Sequence, residues 1–243
     1  MRVNTNKTKL LVINPTLTKQ VVPCVAAYPG NPLLCVGEVR LLGILFDERR
    51  VWWPHINDIV GRATRKIWML LRLREVGANH EFLLINYYAH IRSVLEYGAQ
   101  VWGAVINGLQ SKAIENCQMK ALQVILGAQS SSYSVNRAKL SVELLSDRRE
   151  ELMTKFAIST FKDPRFRKWY TSSPPSSLVF RDKGHPKPPR LWVPLARNQI
   201  TDLRPISKYT NLLNSLTDQE WDNLCIPSPS TCCSVPNIQL SSI

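Results

Sequence analysis

Four cations, Arg62, Arg65, Lys66 and Arg72, crowd one short segment of the chain. The apolar residues around them, Ile56, Ile59, Val60, Ala63, Ile67, Leu70 and Leu71, repeat at the i, i+3, i+4, i+7 spacing of a single helix face. The cations are left on the other side, with no acidic partner expected among them. A row of like charges of this kind suits the phosphates of a polyanion. Arg62 and Lys66 stand at i, i+4, an arrangement that costs roughly a few tenths of a kcal/mol unless an anion lies across it. Arg49, Arg50, Trp52 and Trp53 adjoin the row. The competing reading is a solvated helix surface, the usual fate of such charge.

Other chemistry is missing from the sequence. There is no glycine-rich phosphate loop, no His-Glu-x-x-His, no Cys-x-x-Cys and no adjacent pair of aspartates. The histidines His55, His80, His90 and His185 are scattered, and His55 beside Pro54 reads as a helix-start residue. Cys225, Cys232 and Cys233 with the distant His185 fit no standard zinc spacing. Cys117 falls on an apolar helix face and reads as a small core residue.

The elements that must hold the cations are mainly helices. The first opens near Pro54, a residue suited to the first turn, and Gly77 closes it. A second is expected over 81–102, burying Leu84, Tyr87, Tyr88, Ile91 and Leu95. A third covers 109–126, with Ile114, Cys117, Ala121 and Ile125 inward and Gly127 as its stop. A fourth spans 135–160 through Leu140, Leu144, Leu145, Leu152 and Phe156. Short connections make these a compact antiparallel cluster. Ahead of them, Leu10–Ile13 and Val39–Phe46 read as short strands that form a small antiparallel remnant, with Gly43 marking a bulge or a close backbone approach. Beyond Thr160 prolines are dense, one terminal helix is expected over 209–216, and the end from Pro227 reads as disordered.

The totals agree with an anionic partner. Net charge is +13. Lys and Arg outnumber Asp and Glu by 12 to 5 over residues 1–75 and by 11 to 6 over 161–243, but only by 8 to 7 between. The excess sits at the ends, favouring nucleic acid first and a membrane surface second. Leu10–Ile13 is too short for a signal sequence. Prolines and glycines break the uncharged stretch 21–37, so no membrane span is expected there. A nuclear or cytoplasmic chain with reduced thiols is the resulting expectation.

In order along the chain, these residues resemble the C-terminal end of the reverse transcriptase of non-LTR (LINE-type, jockey-like) retrotransposons. Asn4, Lys7, Thr8 and Lys9 match the family's Asn-x-x-Lys-Thr-Lys stretch at the end of the palm. Leu42, Gly43, Phe46 and Asp47 match its Leu-Gly turn, and Trp52, Pro54, His55 and Ile56 its Trp-x-Pro-His-Ile entry to the thumb. Leu95, Glu96, Tyr97, Gly98 and Trp102 fit the Leu-Glu-Tyr-Gly-x-x-x-Trp segment. Glu115, Gln118, Ala121, Leu122, Ile125, Leu126 and Gly127 fit the segment that ends in Ile-Leu-Gly. Ser132, Tyr133 and the run Arg148–Leu152 leading to Phe156 also agree, as do Pro205, Ile206, Thr210, Leu212, Leu213 and Asn214. Arg50 and Gln123 depart from the pattern.

The resemblance implies a mainly α chain in three parts. Residues 1–50 would be a truncated palm end and primer-grip hairpin, 51–160 a helical thumb, and 161–243 a basic, Pro/Ser-rich tail. It implies Leu42 and Gly43 as primer grip and Lys7 as a remnant of the palm lysine near nucleotide phosphates. Arg62, Arg65, Lys66 and Arg72 would hold RNA/DNA hybrid or DNA through phosphates. The family's magnesium ions sit on aspartates upstream of the Lys-Thr-Lys stretch, so no cofactor is expected in this chain. The expectation is a C-terminal piece of an RNA-directed DNA polymerase, inactive alone, from an element decayed at its 5′ end. Two alternatives are a residual RNA/DNA-binding module and a helical protein-interaction domain.

Overall fold

The computed structural model describes residues 8–13, 26–27, 31–32, 34–170, 191, 193 and 205–225. Lys7 and the segment from Pro227 lie outside them, as does most of the Pro-rich stretch 171–204. The described residues are mainly helical, and they divide into two units. The first runs to Met153 and the second from Thr154, with Ile206 onward.

In the first unit the strands are β1 (Lys9–Leu10), β2 (Ala26–Ala27), β3 (Asn31–Pro32), β4 (Leu34–Cys35), β5 (Glu38–Leu41) and β6 (Ile44–Asp47). The pairing differs from the expected remnant. β1 runs parallel to β4, whereas 39–46 folds on itself as the antiparallel hairpin β5–β6, with Leu41 opposite Ile44. The turn residues Leu42 and Gly43 have φ of 49° and 83°, the positive pair that a two-residue hairpin turn of the right twist requires. Glycine takes this freely, but a leucine there is strained.

Helix α1 (Trp53–Glu75) starts with Pro54 in its first turn and ends at Gly77, whose φ is +88°. No side chain caps its N-terminus. Instead the Asp47 carboxylate accepts the backbone N–H groups of Val51 at 2.8 Å and Trp52 at 3.1 Å, tying the hairpin to the helix entry.

The expected second helix is broken. It begins as α2 (His80–Asn86), capped by the Asn79 side chain, and widens into a π-helical turn, Tyr87–Arg92. After α3 (Ser93–Glu96) it stops at Gly98, with α4 (Ala99–Trp102) beyond the stop. Leu83, Tyr87, Ile91 and Leu95 are buried, while Tyr88 points outward and Leu84 is half-buried. Helix α5 (Gly108–Leu126) follows the expectation, and a capping box of Asn107 and Gln110 fixes its start. The expected fourth helix is two. α6 (Tyr133–Leu140) ends at Ser141, φ 52°, and α7 (Leu145–Lys162) starts afresh. The core lies where α1 meets α5 and the π turn, with Ile56, Ile59, Leu70, Ile114 and Leu122 fully buried.

A buried polar knot fastens α5 within this core. Gln118 accepts from the Tyr87 hydroxyl at 2.6 Å and donates to the Glu143 carbonyl at 2.8 Å and to Tyr133. Tyr133 passes its own proton toward Glu115, whose other oxygen accepts the Ser146 N–H at 2.8 Å. Burial raises the Tyr87 and Tyr133 hydroxyls above their ordinary range, so both remain donors.

The second unit contains the end of α7, α8 (Pro164–Arg167), α9 (Pro205–Asn214) and α10 (Asp218–Cys225). α9 begins ahead of the expected 209–216 helix, and α10 is an addition to it. The Phe161 ring packs 5.6 Å from Tyr170 and 5.5 Å from Trp221, and Phe156 lies 5.5 Å from Tyr209. The Asn214 side chain clasps Leu191, donating to its carbonyl and accepting from its N–H.

Candidate nucleic-acid interface

Three of the quoted segments, around Leu42, His55 and Tyr97, meet at the start of α1. His55, fully buried, accepts the Leu45 N–H on Nδ1 at 3.3 Å, so its proton sits on Nε2. Its ring packs against Trp52 and Trp102 at centroid distances of 6.1 and 5.7 Å. Burial, helped by the charges of Arg62 and Arg40 and opposed by Asp58, lowers its pKa to about 4. His55 is therefore more than a helix-start residue, since it holds the hairpin on α1 as a neutral imidazole.

Tyr97 reaches back across the chain. Its hydroxyl donates to the Leu42 carbonyl at 2.8 Å, and its own carbonyl accepts from the Trp102 indole at 3.0 Å. A Cβ on Gly43 would stand 3.1 Å from the Tyr97 ring, which is the close backbone approach that glycine signalled. Leu41, Leu42 and Tyr97 remain exposed around this turn. Trp52, His55, Tyr97 and Trp102 thus serve as scaffold that joins the hairpin to α1.

That face differs from the expected row. Arg62 lies 3.1 Å from Asp58, which also takes both terminal nitrogens of Arg40 at 3.0 and 3.1 Å. The Arg40 hydrogen bonds hold the Asp58 carboxyl below the usual carboxylate range. Arg72 donates to Glu75 at 2.7 Å. The expectation of no acidic partner therefore fails for Arg62 and Arg72, because i, i+4 and i, i+3 acids share their helix. Arg62 is spent on bracing the hairpin. Arg65 is exposed, Lys66 is half-buried, and neither has an acidic partner among the described residues. Helix α1 still carries five Lys and Arg against two acids.

One residue on this face carries no signal in the family motifs. Trp68 is 59% exposed, three residues after Arg65 and four before Arg72, whose guanidinium sits 4.6 Å above its ring. Its outward position follows from the same helical period that buries Ile67 and Leu70. Arg74 is turned away, donating to the Val124 carbonyl at the end of α5. Arg148 pairs with Glu96 and Glu151. Arg149 is buried against Ser111, so both arginines of the Arg-Arg-Glu-Glu-Leu run are structural too.

Among the described residues no three His, Cys, Asp or Glu side chains gather as metal ligands, and no helix is long and apolar enough to cross a membrane. Comparison with known proteins matched no family model, no curated protein and no solved structure.

Proposed function

We propose that this chain supplies the template–primer-holding end of a non-LTR reverse transcriptase. The Leu42-Gly43 hairpin is its primer grip and the helical unit its thumb. RNA/DNA hybrid runs along Arg65, Lys66 and Arg72. The observation that carries this reading is an interlock. The Leu-Gly turn, the Trp-x-Pro-His-Ile segment and the Leu-Glu-Tyr-Gly segment lie far apart in sequence. Contacts at Leu42, Leu45, His55, Tyr97 and Trp102 join them into one junction. Phosphate contacts of this kind position a duplex without reading its bases. The reading assigns these residues the holding of the duplex; in the family it resembles, the magnesium-binding aspartates belong to a segment ahead of the Lys-Thr-Lys stretch.

Arg65→Gln, Lys66→Gln and Arg72→Gln together test it. Removing one phosphate-neutralising cation flattens the slope of log affinity against log salt by about one. The triple variant should therefore flatten it by about three and bind roughly tenfold or more weakly. Fluorescence anisotropy with a labelled hybrid, titrated at several salt concentrations, measures both. An affinity indifferent to salt and to the substitutions would reject the proposal. A second reading, a helical protein-docking surface, is favoured by the exposed Phe82, Ile85 and Tyr88 on α2 and the π turn. It predicts that hybrid binding, if measurable, ignores these three substitutions.

A further inference from the structure

We infer that Trp68 is a stacking platform for an unpaired base, so that α1 holds a junction between duplex and single strand more tightly than duplex alone. The inference rests on the nucleic-acid reading and narrows its ligand.

Trp52 and Trp102 show what this unit does with indoles it needs for stability, for they are 6% and 0% exposed. Trp68 is 59% exposed on α1, away from the side that buries Ile56, Ile59, Ala63, Ile67 and Leu70. A single exposed hydrophobic residue is ordinary by itself. The surroundings of Trp68 are not. Arg72 lies 4.6 Å over the ring and pairs with Glu75 at 2.7 Å, which sets a cation directly beside the indole. Arg65 stands one turn earlier on the outward stripe, and Gly61 one turn before that leaves open space, with nothing within 4 Å of where its Cβ would be.

Cations that attract a phosphate chain, interleaved with an aromatic face, form the combination by which proteins bind single strands without reading sequence. Charge complementarity selects a polyanion, and the ring selects one with a free base. A fully paired duplex offers its phosphates to Arg65 and Arg72, but its bases are already stacked on each other.

The test uses the full chain with two probes of equal charge. One is an RNA/DNA hybrid with a short thymidine tail. The other carries the same tail with its bases removed, so only stacking differs. The wild-type chain is expected to bind the base-bearing tail roughly tenfold more tightly, the scale of one base–aromatic stack. Trp68→Ala should abolish that preference, and Trp68→Phe should keep most of it. Arg72→Gln should weaken both probes while leaving part of the preference. Because Trp68 is exposed, these variants should melt like the parent, which a thermal scan checks. Equal binding of the two tails by the wild-type chain overturns the inference, as does a preference that survives Trp68→Ala. In either case salt-dependent hybrid binding leaves the broader proposal standing. Failure of the wild-type chain to bind either probe overturns both.

Discussion

Gly98→Val is expected to destabilise the first unit by about 3–4 kcal/mol, a large part of a typical domain's stability. Two costs add. Gly98 has φ +64°, a conformation that a β-branched residue adopts only under strain. A Cβ there would also stand 2.6 Å from Cδ1 and 3.1 Å from Cγ1 of Ile44, a buried residue of the hairpin. Ile44 cannot swing aside without vacating the core it fills, and overpacking of this sort costs about 1–3 kcal/mol alone. The internal control is Gly61→Ala, in the half-buried interior of α1 with open space around its Cβ, which should stabilise by roughly 0.5–1 kcal/mol through helix propensity. Urea melts of the two variants should move in opposite directions. A Gly98→Val midpoint equal to the parent's would show that the hairpin does not dock on that turn.

The second large effect is a loss of stability in acid. His55 titrates at about 4 in the folded chain against about 6.5 when unfolded. The unfolded state therefore binds the extra proton first. Stability is fully present above pH 6.5 and drains away as pH falls from there through about 4, below which both states are protonated. The cost over that window is about 3 kcal/mol. His55→Gln keeps an acceptor for the Leu45 amide but cannot titrate, so it should lower stability at neutral pH while flattening the slope. Thermal melts at pH 7.5 and 4.5 make the comparison. An unchanged slope in His55→Gln would assign the acid loss to other groups.

Local chemistry makes part of this fold legible. Pro54 and Gly77 bracket α1, Gly127 stops α5, and the apolar periods of both helices give their buried faces. The break after Glu96 is not legible, because the apolar period continues through it. The stop at Gly98 is set by a contact distant in sequence, the reach of Tyr97 to Leu42. Ser141 ends α6 by taking a left-handed conformation, which no residue preference of serine announces. Of the four expected cations, Arg65 and Lys66 stand without acids among the described residues. Arg62 is claimed by Asp58, four residues earlier and visible in the sequence, and Arg40 arrives at the same carboxylate only through the fold. The helical period alone turns Trp68 away from the side of Ile67 and Leu70, but no motif marks it, and the Arg72 guanidinium over its ring is visible only in the fold.

The surface proposed to hold a polyanion can be tested directly. A photocrosslinking residue at Gly61 sits on the outward stripe of α1 in open space, and one at Gly108 sits at the start of α5, equally unobstructed. With labelled RNA/DNA hybrid at moderate salt, irradiation should join the nucleic acid to the Gly61 variant and leave the Gly108 variant free. Crosslinking from Gly108 in place of Gly61, or from neither while the hybrid stays bound, would contradict the account.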